Sequence, residues 1–146
     1  MTCAPHAPDM LIDTSAWVEF LRGTESTTHH AVRDYLRSGE PFATCEPIVM
    51  EVLAVGRSDA HTAELRNLLA GAQLVRTMPT DWEDAAGIYR SGRRQGVTVR
   101  KLIDCLIAAI ALRAGEMVLH HDADFDAIAQ MVPLAVTRSA LKPRSW

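Results

Sequence analysis

Met10-Leu11-Ile12-Asp13-Thr14-Ser15 is the stretch from which the fold can be read. Three apolar residues end in a carboxylate, and an amphipathic pattern then carries Trp17, Val18, Phe20 and Leu21 as far as Gly23. That is a strand handing over to a helix, with the acid at the strand's carboxyl end. Open α/β sheets bind their ligands outside that end, so Asp13 stands where chemistry is usually done. Thr14 or Ser15 is the expected helix cap once Asp13 has a role in chemistry, although Asp13 taken alone is better explained as a cap itself.

The same alternation runs on through the chain. Thr27 or Thr28 opens a second helix, with Ala31, Val32, Tyr35 and Leu36 on one stripe and Gly39 past its end. Residues 41–44 read as a short strand. Pro47 suits the first turn of a helix, where its missing N–H costs nothing. That helix covers 48–55, with Ile48, Val52 and Val55 inward, Glu51 beside the stripe and Gly56 as the stop. A helix over 60–70 and a strand over 73–76 follow. Thr80 and Glu83 have the spacing of a T-x-x-E capping box, for a helix through Tyr89 that Gly92 or Gly96 ends. Residues 102–114 form the most apolar helix, closed by Gly115, and such a helix is buried over most of its surface. A fourth strand over 117–121, a helix to Gln130 and a last strand over 134–136 complete the series. Strands alternating with helices predict an α/β protein with a parallel sheet covered on both faces. No repeat, low-complexity tract or linker divides the chain.

At 146 residues the chain has room for one substantial core. A formal charge of −3 argues against a protein that coats nucleic acid nonspecifically, because that affinity comes from many cation–phosphate contacts. It does not exclude an RNA-processing enzyme, whose acidic metal ligands pull the total down. Cys3, Cys45 and Cys105 are odd in number and widely spaced, which supports neither a zinc site nor a disulfide framework. Residues 1–9 lack the apolar core of a signal peptide and no run is long enough to span a membrane, so a soluble cytoplasmic protein is expected. Met10 offers an alternative start; on that reading 1–9 is a flexible extension and 10–146 the domain.

Four acids stand where a solvated surface acid need not be. Asp13 ends the first strand, and Asp122 follows the fourth at the same sheet edge if the strands are parallel. Asp104 lies in the first turns of an apolar helix, where a lone buried carboxylate costs several kcal/mol, on the order of the penalty for an unpaired ion. Glu51 flanks a buried stripe. Convergent carboxylates without sulfur suit Mg²⁺ or Mn²⁺. Each acid also has a plain explanation: Asp13, Asp122 and Asp124 as caps, Asp104 as a complement to the helix dipole, Glu51 as a solvated helix residue. The joint reading gains because all of them fit one edge of one fold.

Other chemistries find little support. His29-His30 and His120-His121 are adjacent pairs whose side chains diverge. His121-Asp122 matches the dipeptide of the HD phosphohydrolases, but that family is all-helical. No dinucleotide or P-loop glycine motif follows a strand, and no G-x-S-x-G elbow is present. Asp13-Thr14-Ser15 lacks the second acid of the haloacid-dehalogenase nucleophile motif. Among the cations Arg90, Arg93, Arg94, Arg100 and Lys101, the last two adjoin the acids and suit phosphate.

Four segments together resemble a PIN-domain ribonuclease, more narrowly a VapC-type toxin of a bacterial type II toxin–antitoxin pair. They are Leu11-Ile12-Asp13-Thr14-Ser15-Ala16-Trp17, Cys45-Glu46-Pro47-Ile48-Val49-Met50-Glu51-Val52-Leu53, Ile103-Asp104-Cys105-Leu106-Ile107-Ala108-Ala109 and Leu119-His120-His121-Asp122-Ala123-Asp124-Phe125. The resemblance implies a five-stranded parallel sheet with helices on both faces and Mg²⁺-dependent endonucleolytic cleavage of a structured RNA, a tRNA or rRNA. It also implies a homodimer and neutralisation by a VapB-like antitoxin. The family's catalytic acids fall on Asp13, Glu51, Asp104 and Asp122, with Asp124 able to share or take the fourth place. Asp13, Asp104, Asp122 and Asp124 are then the metal ligands, and Thr14, Arg100 and Lys101 the substrate-binding residues. Extension 1–9 departs from the family's usual start.

Two other readings stay open at this point: a metal-dependent phosphohydrolase acting on a small phosphate ester, and a PIN-like module retained only for protein binding. For partners, Trp17, Phe20, Leu21, Tyr35 and Leu36 offer a groove for an antitoxin helix if they are not simply core. Trp82, Ile88 and Tyr89 are candidates for a dimer contact, and Trp146 for a contact at the terminus.

Overall fold

The computed structural model describes residues 10–139, so the expectations for 1–9 and Trp146 lie outside the described residues. Strands β1 (Met10–Ile12), β2 (Phe42–Cys45), β3 (Gln73–Val75), β4 (Met117–Leu119) and β5 (Val136–Thr137) form one sheet in the order β3-β2-β1-β4-β5. Every pairing is parallel, and β1 aligns Met10, Leu11 and Ile12 with Met117, Val118 and Leu119 of β4. From β1 the chain winds outward to β2 and β3, then returns to the other side of β1 for β4 and β5. The order therefore reverses between β1 and β4. That switch point is where an open α/β sheet leaves a crevice at its carboxyl edge.

Among the described residues seven helices make the crossovers: α1 (Thr14–Arg22), α2 (Thr27–Ser38), α3 (Glu46–Ala54), α4 (Asp59–Leu69), α5 (Pro79–Gln95), α6 (Leu102–Ala114) and α7 (Ala123–Met131). All three residues of β1 and all four of β2 are buried. Since successive strand residues point to opposite faces, the sheet is covered on both sides, as expected. Burying Leu11 and Ile12 completely stabilises the fold by roughly 2 kcal/mol each. A ladder hydrogen bond nets nearer 1 kcal/mol, so so short a strand is held by its side chains first. Among the described residues, no helix is long and apolar enough to cross a membrane.

The structure revises several local expectations. Asp13, not Thr14 or Ser15, is the N-cap of α1. Ser26 caps α2. Val55 is exposed and follows the end of α3, leaving Ile48 and Val52 as its inward residues. Thr80 and Glu83 form no capping box, and both are exposed. Instead Pro79 begins α5 and the Asp81 carboxylate accepts the Met78 N–H at 2.7 Å. Gly92 lies inside α5, where a Cβ would stand 2.8 Å from the Val97 carbonyl oxygen. Gly96, at φ 69°, ends the helix. The last strand is displaced to Val136–Thr137, set by its register with Val118 and Leu119.

Of the apolar candidates for partner contact, Trp17 is wholly buried, in edge contact with Phe42 and Phe20. Phe20, Tyr35 and Leu36 are partly buried against the core. Ile88 is core and Tyr89 packs against it, whereas Trp82 is exposed. Trp82 joins Met50 and Leu102, also exposed, around an apolar cavity of about 520 Å³ between α3, α5 and α6.

Asp81 is fully buried and is the main polar tie between α5 and α6. Arg113 donates to both its carboxylate oxygens, at 2.8 and 2.9 Å, and to the Arg76 carbonyl at 2.6 Å. The Arg113 hydrogen bonds hold the Asp81 carboxyl below the usual carboxylate value, against the opposing effect of burial. An R113A protein should lose about 2 kcal/mol of unfolding free energy at pH 7, the scale of charge-assisted bonds to a buried partner. Because the folded-state value is depressed, that contribution is complete above the ordinary carboxylate value of 3.8 and disappears as pH falls through the folded value. Urea unfolding of both proteins at pH 7 and in strong acid checks the convergence.

Candidate metal centre

The crevice at the switch point collects the acids. Asp13 leaves β1 and donates its backbone N–H to the Leu119 carbonyl at the end of β4, at 2.9 Å. Its Oδ2 caps α1 by accepting the Ser15 N–H at 2.9 Å and the Ser15 hydroxyl at 2.6 Å. The Ser15 hydroxyl oxygen in turn accepts the His121 N–H at 2.8 Å. One serine therefore ties the loops after both central strands. Asp13 Oδ1 is buried with no hydrogen-bond partner among the described residues. Capping and a free oxygen are thus two uses of one carboxylate.

Glu51 reaches the same place from α3, where its Oε1 accepts the Thr14 hydroxyl at 2.9 Å. Asp104 enters from the first turn of α6. Asp13, Thr14, Glu51, Asp104, Lys101 and His121 line a cavity of about 250 Å³. Asp104, Asp122 and Asp124 form a second grouping, with one oxygen from each lying within 4.8 Å of the others. Asp104 belongs to both. Asp13, Asp104, Asp122 and Asp124 are 2%, 3%, 9% and 2% exposed, a concentration of buried carboxylate that hydrogen bonds alone would not sustain.

Arg100 and Lys101 supply the compensation. Asp124 Oδ1 accepts the Arg100 N–H at 3.1 Å and its Nε at 3.2 Å, while Oδ2 accepts the Lys101 N–H at 3.0 Å. Asp122 Oδ1 accepts Arg100 Nη2 at 3.1 Å and, as the cap of α7, the Asp124 N–H at 2.9 Å. Asp122 Oδ2 accepts Lys101 Nζ, which lies 3.4 Å from Asp104 Oδ2. The residues read from sequence as phosphate binders are here held against the acids.

Electrostatics divide the acids. Burial pushes Asp13 up to about 6, with Glu51 adding to the effect and the Ser15 bonds opposing it. Burial, then the charge of Asp13, pushes Asp104 up to about 8 despite Lys101. Asp122 goes the other way: burial would raise it, but Lys101, the Asp124 N–H and Arg100 together hold it below the usual value. Burial keeps the Cys45 and Cys105 thiols protonated, up to about 12 and about 11, so neither is a nucleophile.

The donor set fits a hard divalent ion. All donors are carboxylate oxygens, three of them converge within 4.8 Å, and Asp13 Oδ1 and Asp104 Oδ2 are buried without a hydrogen bond. Sequence reasoning placed the acids but missed the parts of Ser15, His121 and Glu19. Glu19 Oε1 lies 3.4 Å from His121 Nε2 at the cavity wall. Single hydroxyl and imidazole side chains leave no periodic signal, and only proximity reveals them.

Fold and site together define an α/β protein with a carboxylate cluster suited to a hard divalent ion at its switch point, and comparison with known proteins narrows the class. The PIN domain family model matches residues 10–131. Ribonuclease VapC11 of Mycobacterium tuberculosis is 46% identical over 127 residues, spanning 86% of this chain and 95% of the relative. Ribonuclease VapC51 of the same organism is 32% identical over 99 residues, or 64% of this chain and 72% of the relative. Among solved structures, a toxin–antitoxin complex from Klebsiella pneumoniae matches with a TM-score of 0.68 at 18% identity, over 91% of this chain and 100% of that one. The Mycobacterium tuberculosis toxin VapC20, described as cleaving the sarcin–ricin loop, matches at 0.63 and 16% identity, over 87% and 99%. The chain belongs to the PIN-domain family and, within it, to the VapC ribonucleases.

A raised acid stabilises the fold while it is protonated in both states and loses that contribution as pH rises through its folded value. For Asp104 the loss falls between about 4 and about 8. In chelator, D104N should therefore be more stable than the parent at pH 8, by on the order of 2 kcal/mol, and equal to it near pH 3. Urea unfolding in EDTA across that range measures the difference.

Proposed function

We propose that this chain is a Mg²⁺-dependent endoribonuclease toxin that cuts one structured RNA, a tRNA or rRNA, and is neutralised by a VapB-like antitoxin. The observation that carries it is the cluster of buried carboxylates at the switch point, in a chain 46% identical to a VapC ribonuclease. Asp13, Asp104, Asp122 and Asp124 would hold the ion, with Mn²⁺ a plausible substitute. Such an ion lowers the pKa of water and neutralises charge developing on phosphate.

The chain's own groups account for the remaining steps. Glu51, oriented by the Thr14 hydroxyl, accepts the proton of the attacking water. Oxygen bonds to phosphorus as the bond to O3′ breaks, and its electron pair leaves on O3′, which takes a proton from solvent, giving a 5′-phosphate and a 3′-hydroxyl. Thr14 and the exposed sides of Arg100 and Lys101 would bind the RNA backbone. Asp122 and Asp124 act as one unit, since the same arginine and lysine hold both.

For assembly, the exposed Met50, Trp82 and Leu102 around the apolar cavity are the surface a homodimer would cover. The exposed Leu21 on α1 and half-buried Phe20 and Leu36 are what an antitoxin helix would meet.

End-mapping of cellular RNA after brief induction tests the reading. The parent should yield one discrete cut that is lost in D13N and D104N, with cleavage in vitro falling at least ~100-fold in either variant or in excess EDTA. E51Q should lose a comparable factor in rate while still binding RNA. Wild-type cleavage by folded D13N and D104N would refute the assignment. Turnover of a generic phosphate ester without RNA cleavage would favour the phosphohydrolase.

A further inference from the structure

Lys101 is placed where a divalent ion would have to compete with it. It is the N-cap residue of α6, and its backbone N–H is fixed on Asp124 Oδ2 at 3.0 Å. Its ammonium lies on Asp122 Oδ2 and 3.4 Å from Asp104 Oδ2. Two of the three acids whose oxygens converge within 4.8 Å therefore share one lysine. An ammonium and a divalent ion cannot both occupy that space, because the ion draws carboxylate oxygens to about 2.1 Å for Mg²⁺ and repels a like charge beside it.

The two cations of the site are not equivalent. Arg100 grips Asp124 through both its backbone and Nε, and Asp122 through Nη2, in the fixed fork geometry of a guanidinium. Its hydrogen bonds and ion pairs among the described residues go to Asp122 and Asp124, not to Asp104. Lys101 is the cation that reaches Asp104, through a single ammonium on a flexible four-carbon stem, whereas Arg100, although 65% exposed against 49% for Lys101, is held by three hydrogen bonds to Asp122 and Asp124. Arg100 is thus built in, while the Lys101 ammonium can swing out without disturbing the backbone bond that anchors the residue.

We propose that Lys101 is the site's own counter-cation: it holds the acids of α6 and of the turn before α7 together without metal, and sets metal affinity by competing for their oxygens. The proposal rests on the reading that these acids bind a divalent ion. It makes Lys101 a positioning residue that gates the metal. Two consequences follow for the chain itself: the acid cluster is preformed before metal arrives, and its affinity is weaker than its carboxylates alone would give.

The test is Mg²⁺ titration of the full chain by calorimetry without RNA, at pH 8.5 so that protons do not replace the ammonium, alongside thermal unfolding with EDTA or with saturating Mg²⁺. K101M should bind Mg²⁺ about tenfold more tightly, on the scale expected for removing one neighbouring like charge. Its Tm should fall below the parent's in EDTA and recover with Mg²⁺. K101R keeps the charge and should stay within about twofold of the parent's Kd. K101Q, which retains a donor without the charge, should follow K101M and covers the case in which methionine prevents folding. If K101M and K101Q bind no more tightly than the parent, or if K101R binds as tightly as they do, the counter-cation role is refuted while the metal reading stands. If the parent binds no Mg²⁺, both fail together.

Discussion

The parallel pairing of β1 with β4 is the constraint on which the rest of the site depends. It aligns Ile12 with Leu119, so both central strands end at one level and Asp13 can hydrogen-bond to the Leu119 carbonyl. Because the strand order reverses there, no crossover covers the edge, and a crevice stays open. Helix α6 then brings Asp104 down into it and α3 brings Glu51 alongside. Neighbours in sequence orient Asp13 and Asp122 as caps, but they do not bring the acids together. Each takes its position from an element whose packing is settled by apolar burial elsewhere.

That arrangement concentrates negative charge in a dry place, and the structure distributes the consequences unevenly. Asp122 keeps its charge because Lys101 and Arg100 lie against it. Asp104 is pushed the other way, up to about 8, by burial in the most apolar helix and by the charge of Asp13, with Lys101 opposing. Asp13 is intermediate, with one oxygen satisfied by Ser15 and the other left bare. Buried carboxylates that repel one another give up stability for a donor set that suits a hard divalent ion. The rigid part of the compensation is Arg100, and the exchangeable part is Lys101.

Much of the architecture was legible because hydrophobic periodicity and helix-ending glycines are local signals. The sequence boundaries of α6 match the structure, and Gly23, Gly39, Gly96 and Gly115 all sit in the left-handed conformation at helix ends. The misses have physical causes. The T-x-x-E pattern at Thr80 lost to Asp81, because a buried carboxylate that can pair with Arg113 gains more than an exposed cap. Trp17, Phe20, Tyr35 and Leu36 left core and groove both open in the sequence, because composition cannot say which side of an aromatic is covered; Trp17 is core and the others pack partly against it. Ser15 joins two loops through one hydroxyl, which no pattern announces.

The amino-acid order by itself determined the alternation of strands and helices, the burial of the sheet on both faces, and the identity of the acids, since these follow from spacing and from the cost of burying charge. Only tertiary structure decided that Asp13 is both cap and free carboxylate, and that Asp104 joins two groupings of acids. It also decided that Arg100 and Lys101 pair with the acids while part of each side chain stays exposed. These are relations among side chains from different elements, set by strand register and helix packing. A carboxylate's partners and pKa depend on distances of a few ångströms that the order of residues does not contain.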